Sequence, residues 1–180
     1  NVESEAELDR IESVAATLKM NAPISIRVNP NVDAKTHPYI STGLTENKFG
    51  VGVDLALSLF KKANLSSHLK VFGLDYHIGS QITDISPFLE ALDKALELII
   101  KLKEEQIFLN HIDIGGGVGV TYDKEATISI NDYIQSVIQK AGDLKIMVEP
   151  GRSIVGNAGI FVTKVEYLKQ NELKSFAIVD

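Results

Sequence analysis

Three short motifs in the second half of this chain carry residue types that are suited to chemistry. Residues 77–80 read His-Ile-Gly-Ser, residues 113–117 read Asp-Ile-Gly-Gly-Gly, and residues 149–152 read Glu-Pro-Gly-Arg. Each motif follows a short apolar run that is typical of a strand. Active sites in barrels of alternating strands and helices lie at the carboxyl ends of the strands. The motifs therefore predict one site, suited to a flat, anionic, nitrogen-containing cofactor.

Two of the motifs contain groups that could bind a phosphate. Gly115, Gly116 and Gly117 have no side chains, so successive backbone N–H groups can turn toward an anion that approaches closely. Ser80 adds a hydroxyl beside a small turn. A tight turn after a strand would also explain the three glycines, although Gly119 exceeds what such a turn needs.

The other groups in these motifs could hold an aromatic ring. The His77 imidazole could stack on a ring or act as a base. The Glu149 carboxylate could keep a pyridine nitrogen protonated, which would make the ring an electron sink. Arg152 could bind a phosphate or a carboxylate through two hydrogen bonds. Arg27, near the end of an earlier apolar run, predicts a place at the barrel mouth. Each residue also has a purely structural interpretation: a histidine at a strand end, a surface salt bridge, or an exposed arginine.

Composition excludes several classes of protein. The chain has 180 residues and a net charge of −6, without the basic patch that nucleic-acid binding needs. It has no cysteine, which excludes disulfides and thiolate chemistry within it. The apolar runs are too short to span a membrane, and the first residues do not resemble a signal peptide. These features predict a cytoplasmic protein that does not bind membranes.

The histidines do not indicate a metal site. His37, His68 and His111 lack the spacing of metal ligands. We predict structural roles for His68 and His111, and the role of His37 is left open. No bound metal is expected.

The elements that must position these groups alternate between helix and strand. The patterns predict helices over residues 4–20, 86–105 and 131–140, with a further helix that Asp54 caps. They predict strands over residues 24–28, 69–76, 109–114, 144–148, 160–168 and 175–179. A long polar loop joins residues 29–50. The alternation predicts an α/β fold with a parallel sheet, and about four of a barrel's eight strands are visible. We therefore expect a piece of a longer protein.

A longer segment carries a resemblance to a known family. Residues 26–50 contain Asn-Pro, Thr-His-Pro-Tyr-Ile, Thr-Gly and Lys-Phe-Gly elements. Together with the three motifs, they make the chain resemble the diaminopimelate decarboxylases, which are alanine-racemase-like (fold type III) pyridoxal-phosphate enzymes. The three motifs are shared more widely, with ornithine and arginine decarboxylases.

The resemblance implies a reaction and a role for each matching residue. Meso-2,6-diaminopimelate would lose CO2 to give L-lysine, with pyridoxal 5'-phosphate as cofactor. His77 would stack on the pyridine ring, and Glu149 would pair with the ring nitrogen. Ser80 and glycines 115–117 would hold the phosphate. Gly151 and Arg152 would lie beside the cofactor, with Arg152 between phosphate and substrate. Arg27 would lie near the ring.

The resemblance also implies an organisation. Residues 1–159 would form roughly the second half of a TIM-like (β/α)8 barrel, and residues 160–180 would begin a C-terminal β-domain. The lysine that attaches the cofactor would lie upstream, and the family's catalytic cysteine would lie beyond residue 180. The complete protein would be a homodimer, and residues 1–180 alone would be inactive and prone to aggregate.

Three alternatives stay open. The parent protein could decarboxylate ornithine or arginine, or it could be a silent homologue that binds a partner or the cofactor without chemistry. It could also be a phosphate-binding barrel enzyme without pyridoxal phosphate, which would leave His77 and Glu149 unassigned.

Overall fold

The computed structural model describes residues 1–34, 48–124 and 126–180, and these form an α/β fold. The helices are α1 (Glu5–Thr17), α2 (Val53–Leu65), α3 (Ser86–Glu104), α4 (Ile130–Ala141) and the short α5 (Arg152–Val155). The strands are β1 (Ala22–Arg27), β2 (Leu69–Asp75), β3 (His111–Asp113), β4 (Lys145–Met147), β5 (Val165–Gln170) and β6 (Ser175–Val179).

The first four strands form one parallel sheet in the order β1-β2-β3-β4. Helices α2, α3 and α4 each connect one strand to the next, as in a TIM-like barrel. The predicted α/β class with a parallel sheet is confirmed. Because parallel strands end at the same edge, the loops after β2, β3 and β4 lie side by side.

Local signals explain where the first and third helices begin. The Ser4 hydroxyl accepts a hydrogen bond from the Glu7 N–H at 3.2 Å, as expected for a helix N-cap. Pro87 lies in the first turn of α3, where its missing N–H costs nothing. The helix predicted at Asp54 is present as α2, but the predicted capping role of Asp54 was wrong, because Gly52 is the N-cap residue and no side chain caps that end. Asp54 instead lies inside the first turn, where a negative charge still favours the helix dipole.

The sheet buries its apolar face against the helices. Ile26, Leu74 and Ile112 are paired across β1, β2 and β3, and none of them is exposed to solvent. From the helix side, Phe88 of α3 packs against Tyr133 of α4, with ring centroids 4.8 Å apart. This core holds the strands, and so the loops at their carboxyl ends, in fixed positions.

The opposite face of the sheet is polar, although it is also buried. Arg27, Asp75 and Asp113 form one row across β1, β2 and β3. One row below, the Ser25 hydroxyl lies 3.3 Å from Nε2 of His111. Burial lowers the pKa of His111, which favours the neutral ring. This polar face differs from the layers of branched apolar side chains that are common inside TIM-like barrels.

The last part of the chain differs most from the sequence prediction. The strand expected over residues 160–168 begins only at Val165, where pairing with Val179 of β6 starts. Residues 160–162 are apolar, which is why a strand was predicted there. They are strongly exposed and have no partner strand among the described residues. Helix α5 was not predicted, and β3 and β4 are shorter than expected. Among the described residues, no helix is long and apolar enough to cross a membrane.

Candidate active site

The loops after β2, β3 and β4 bring the three motifs into direct contact. The Gly116 N–H donates to Nδ1 of His77 at 3.2 Å, which joins the first two loops. The Glu149 N–H donates to the Gly115 carbonyl at 2.8 Å, which joins the second loop to the third. These contacts produce a continuous surface at the carboxyl edge of the sheet.

The glycine turn after β3 is closely packed between its neighbours. A Cβ on Gly116 would lie 2.2 Å from the Glu149 carbonyl oxygen, and one on Gly117 would lie 2.3 Å from the Gly79 carbonyl oxygen. Gly117 also has a φ of +107°. Glycine is therefore required for the approach of the three loops, independently of any anion.

Two backbone N–H groups of this turn are used inside the protein. The Gly115 N–H donates to Oδ1 of Asp113 at 2.9 Å, and the Gly116 N–H donates to His77. The sequence predicted that successive N–H groups of the turn face an anion. In the structure, the first two of them organise the site instead.

His77 is held as a neutral ring. Burial lowers the pKa of His77, and the Arg27 guanidinium lowers it further. Because Nδ1 accepts the hydrogen bond from Gly116, the proton of the neutral ring lies on Nε2. A neutral, half-buried imidazole held from one edge is suited to stacking on a flat ring.

Arg152 joins the first motif to the third. Its Nη2 donates to the Ser80 hydroxyl at 3.2 Å, and its Nη1 donates to the Tyr122 hydroxyl at 2.7 Å. The guanidinium also lies 5.8 Å from the centre of the Tyr122 ring. Arg152 and Ser80 therefore place a positive charge and a hydroxyl together, a pair able to bind a phosphate.

Three carboxyl groups gather beside this surface. Oxygens of Asp75, Asp113 and Glu149 lie within 4.8 Å of one another. Asp75 is 3% exposed, and its Oδ1 has no hydrogen-bond partner in the described part of the chain. Burial first, and then the charges of Asp113 and Glu149, raise the pKa of Asp75 to about 7.

One arginine partly offsets this negative charge. Arg27 Nε lies 3.9 Å from Oδ2 of Asp75, while its Nη1 binds Oε1 of Glu3 at 2.9 Å. The guanidinium also lies 4.9 Å from the centre of the Phe49 ring. Arg27 is thus largely covered, with 17% of its side chain exposed, so the exposed-arginine alternative does not hold.

The arrangement fits a protonated heterocycle that carries a phosphate. A ring N–H⁺ would add positive charge to a carboxyl cluster that Arg27 offsets only in part. The neutral imidazole offers a ring face, and the Arg152–Ser80 pair offers phosphate contacts. The oxygen cluster alone would also suit a divalent cation, but a cation does not explain the imidazole or the guanidinium.

A cavity of about 320 Å³ borders the glycine turn. Its other walls include Ile130, Tyr133 and Ile134 of α4, and Val148 and Ile154. These walls are mainly apolar and do not suit a phosphate. Ser80 and Arg152, which lie outside the lining of this cavity, offer the polar groups that its apolar walls lack.

Sequence reasoning missed several residues of the site. Asp75 gave one usable signal, because it is a charged residue at the end of an apolar strand, as Arg27 is. Gln81 and Tyr122 gave none, since their importance depends on partners far away in the sequence. His37 and two of the four loop elements used for the resemblance, Thr-His-Pro-Tyr-Ile and Thr-Gly, lie outside the described residues.

Comparisons with known proteins identify a family for this chain. The family model that matches is "Pyridoxal-dependent decarboxylase, pyridoxal binding domain", over residues 1–156. The diaminopimelate decarboxylase of Pseudomonas aeruginosa is 52% identical over 182 residues, which cover 100% of this chain and 44% of that protein.

Two solved structures extend the comparison. Diaminopimelate decarboxylase from Helicobacter pylori, complexed with L-lysine, has a TM-score of 0.87 and 50% identity, covering 100% of this chain and 46% of that one. The structure of SrLDC in complex with PLP and cadaverine has a TM-score of 0.71 and 26% identity, covering 99% of this chain and 43% of that one.

These matches confirm the family that the sequence motifs indicated. The chain spans somewhat less than half the length of the relatives that it matches. Within that span, the family model covers most of the chain, and the similarity to diaminopimelate decarboxylases extends over all of it. The chain therefore belongs to the pyridoxal-dependent decarboxylases, through their pyridoxal-binding domain.

Proposed function

We propose that this chain supplies the ring-face, ring-nitrogen and phosphate contacts of a pyridoxal-phosphate-dependent diaminopimelate decarboxylase. The observation that carries the proposal is the junction of the three motifs. It places a neutral imidazole, a carboxyl cluster short of positive charge, and an arginine–serine pair on one surface. A phosphate-binding enzyme without this cofactor would leave the first two features without a purpose.

In this proposal each group has a defined task. His77 stacks on the pyridine ring, and Glu149 pairs with the ring nitrogen and keeps it protonated. Ser80, Arg152 and the glycine turn, with Gly151 beside them, hold the phosphate. Arg27, whose guanidinium lies beside Asp75, is near the cofactor ring. The bound cofactor supplies an electron sink for the carbon that loses CO2.

The substrate assignment depends on the relatives. Identity is 50% to a diaminopimelate decarboxylase whose structure contains L-lysine, and 26% to the SrLDC structure that contains cadaverine. Meso-2,6-diaminopimelate is therefore the substrate that we propose, with L-lysine and CO2 as products. Arg152 is the described residue that we assign to substrate binding, through a carboxylate.

The remaining assignments belong to the same proposal. We infer that the parent protein is a cytoplasmic homodimer, that residues 1–159 complete a barrel with an upstream part, and that residues 160–180 begin the next domain. In the described residues the parallel sheet has four strands and does not close on itself, so it does not form a closed barrel core. Residues 1–180 alone are therefore expected to be inactive.

The test is reconstitution of the parent protein from its open reading frame. Addition of pyridoxal phosphate should produce the visible absorbance of an imine, and CO2 should be released from meso-2,6-diaminopimelate. Ornithine, arginine and L-lysine are the matched substrates. Preference for one of them would overturn the substrate assignment. Absence of the imine absorbance would overturn the cofactor assignment, and cofactor binding without CO2 release would indicate a silent homologue.

A further inference from the structure

Gln81 has an unusual backbone for a residue with a side chain. It directly follows Ser80, and its φ is +59°. Residues other than glycine rarely adopt this left-handed backbone conformation, which glycine adopts without penalty. Glycine would be the default residue if this position were only a turn. Gln106 has a similar φ of +61°, so the backbone alone does not distinguish Gln81, and the contacts of its side chain do.

The side chain makes two hydrogen bonds to one residue of the neighbouring loop. Its Nε2 donates to the Val120 carbonyl at 2.6 Å, and its Oε1 accepts from the Val120 N–H at 3.1 Å. We refer to these two bonds as the Gln81 bridge. Both ends of the amide are satisfied, and only a planar group with a donor and an acceptor side by side makes both contacts.

Backbone contacts continue the bridge toward the glycine turn. The Ile82 N–H donates to the Gly117 carbonyl at 2.9 Å, and the Gly119 N–H donates to the Ile82 carbonyl at 3.0 Å. A Cβ on Gly119 would lie 3.1 Å from the Ile82 carbonyl oxygen and 3.2 Å from Cδ of Gln81. This close packing explains the additional glycine, which a simple turn does not require.

We propose that Gln81 is a positioning residue that holds the glycine turn after β3 at a fixed separation from Ser80. Ser80 precedes Gln81 in the chain and contacts Arg152. The Gln81 bridge therefore joins the loop that carries Ser80, after β2, to the loop that carries the glycine turn, after β3. The inference that Gln81 helps to bind a phosphate rests on the proposed function. The inference that Gln81 holds the loop after β3 does not depend on it.

The test uses Gln81→Gly in the parent protein. Glycine removes the bridge and relieves the backbone strain, so a loss cannot be attributed to an unfavourable φ. Gln106→Gly is the matched control. Gln106 also has a positive φ, of +61°, but it is exposed at the end of α3. If Gln81 were merely a turn residue, both variants would behave as the unmodified protein.

The first readout is amide hydrogen exchange without cofactor. In Gln81→Gly, the amides of Gly119 and Val120 should exchange about tenfold faster. The Val120 N–H donates to Gln81 itself, and the Gly119 N–H donates to the neighbouring Ile82 carbonyl. Gln106→Gly should leave both rates unchanged. Unchanged rates in Gln81→Gly would overturn the proposal that the side chain holds the loop.

The second readout separates phosphate binding from general damage. Gln81→Gly should raise the Kd for pyridoxal phosphate about tenfold and change the Kd for pyridoxal, which has no phosphate, less than about twofold. Equal weakening of both, or no change in either, would overturn the positioning role. If the unmodified parent binds neither compound, the proposed function and the phosphate part fail together, while the exchange rates still decide whether Gln81 holds the loop.

Discussion

Replacement of Asp75 by asparagine tests the electrostatics of the site. The asparagine side chain would keep the size of the aspartate and its ability to form hydrogen bonds, but it would carry no charge. Asp75 is almost fully buried, with one carboxyl oxygen unpartnered in the described structure. The guanidinium beside it, that of Arg27, is 3.9 Å away and is already bound to Glu3. The charged form of Asp75 is therefore poorly compensated, and removal of the charge should stabilise the fold.

The sign of the effect follows from the raised pKa. Asp75 has a pKa of about 7 in the folded chain, against an ordinary value of 3.8. At pH values between these two pKa values, the folded state binds more protons than the unfolded state. The free energy of unfolding therefore falls as the pH rises from about 4 to about 7. Below that window Asp75 is neutral in both states, and above it the loss is complete. At 1.36 kcal/mol per pKa unit, the full loss is about 4 kcal/mol.

Urea denaturation of the cofactor-free parent protein at pH 5 and at pH 8 measures the effect. Asp75→Asn should raise the free energy of unfolding by about 2–4 kcal/mol at pH 8, because the pKa of about 7 already includes the attraction to Arg27, and by less than about half of that at pH 5. Asp143→Asn removes the same charge from an exposed position and should change stability by less than about 0.5 kcal/mol at either pH. A loss of stability at pH 8, or an equal gain at both pH values, would refute the reasoning.

Three further substitutions in the parent protein test the site. Glu149→Gln removes the charge proposed to face the ring nitrogen and should lower kcat at least about hundredfold, with cofactor absorbance retained; an unchanged kcat would contradict the assignment. Arg152→Lys keeps the charge but not the paired contacts to Ser80 and Tyr122; the Kd for pyridoxal phosphate should rise about tenfold, and equal affinity would argue against phosphate contact. Gly116→Ala places a Cβ 2.2 Å from the Glu149 carbonyl oxygen, whereas Gly159→Ala meets nothing within 4 Å. Urea denaturation should show a loss of about 1–3 kcal/mol for the first only.

Much of the fold could be predicted because short-range patterns determine it. Ser4 and Pro87 marked two helix starts, and apolar runs marked the strands of the parallel sheet. The failures occurred where pairing decides the outcome. Residues 160–162 are apolar yet unpaired and exposed, so apolarity alone predicted a strand there. The four-residue helix α5 is too short to produce a helical period.

The site motifs could be predicted, but the contacts among them could not. His77 and Gly116 are 39 positions apart, as are Gln81 and Val120. Nothing in either local sequence records these contacts, since they depend on the register of β2 against β3. The glycines were therefore interpreted as anion ligands or as a tight turn, whereas the structure also gives them a task in packing three loops together.

The excess of negative charge is the feature that links the fold to the proposed function. Strand register places Asp75 and Asp113 in one row, and the loop after β4 adds Glu149. An uncompensated carboxyl cluster costs stability in the fold by itself. A protonated ring nitrogen beside Glu149 would supply the missing positive charge, and it would also weaken the repulsion that raises the pKa of Asp75. We therefore propose that the cluster is a binding surface for a cationic heterocycle and not a structural device.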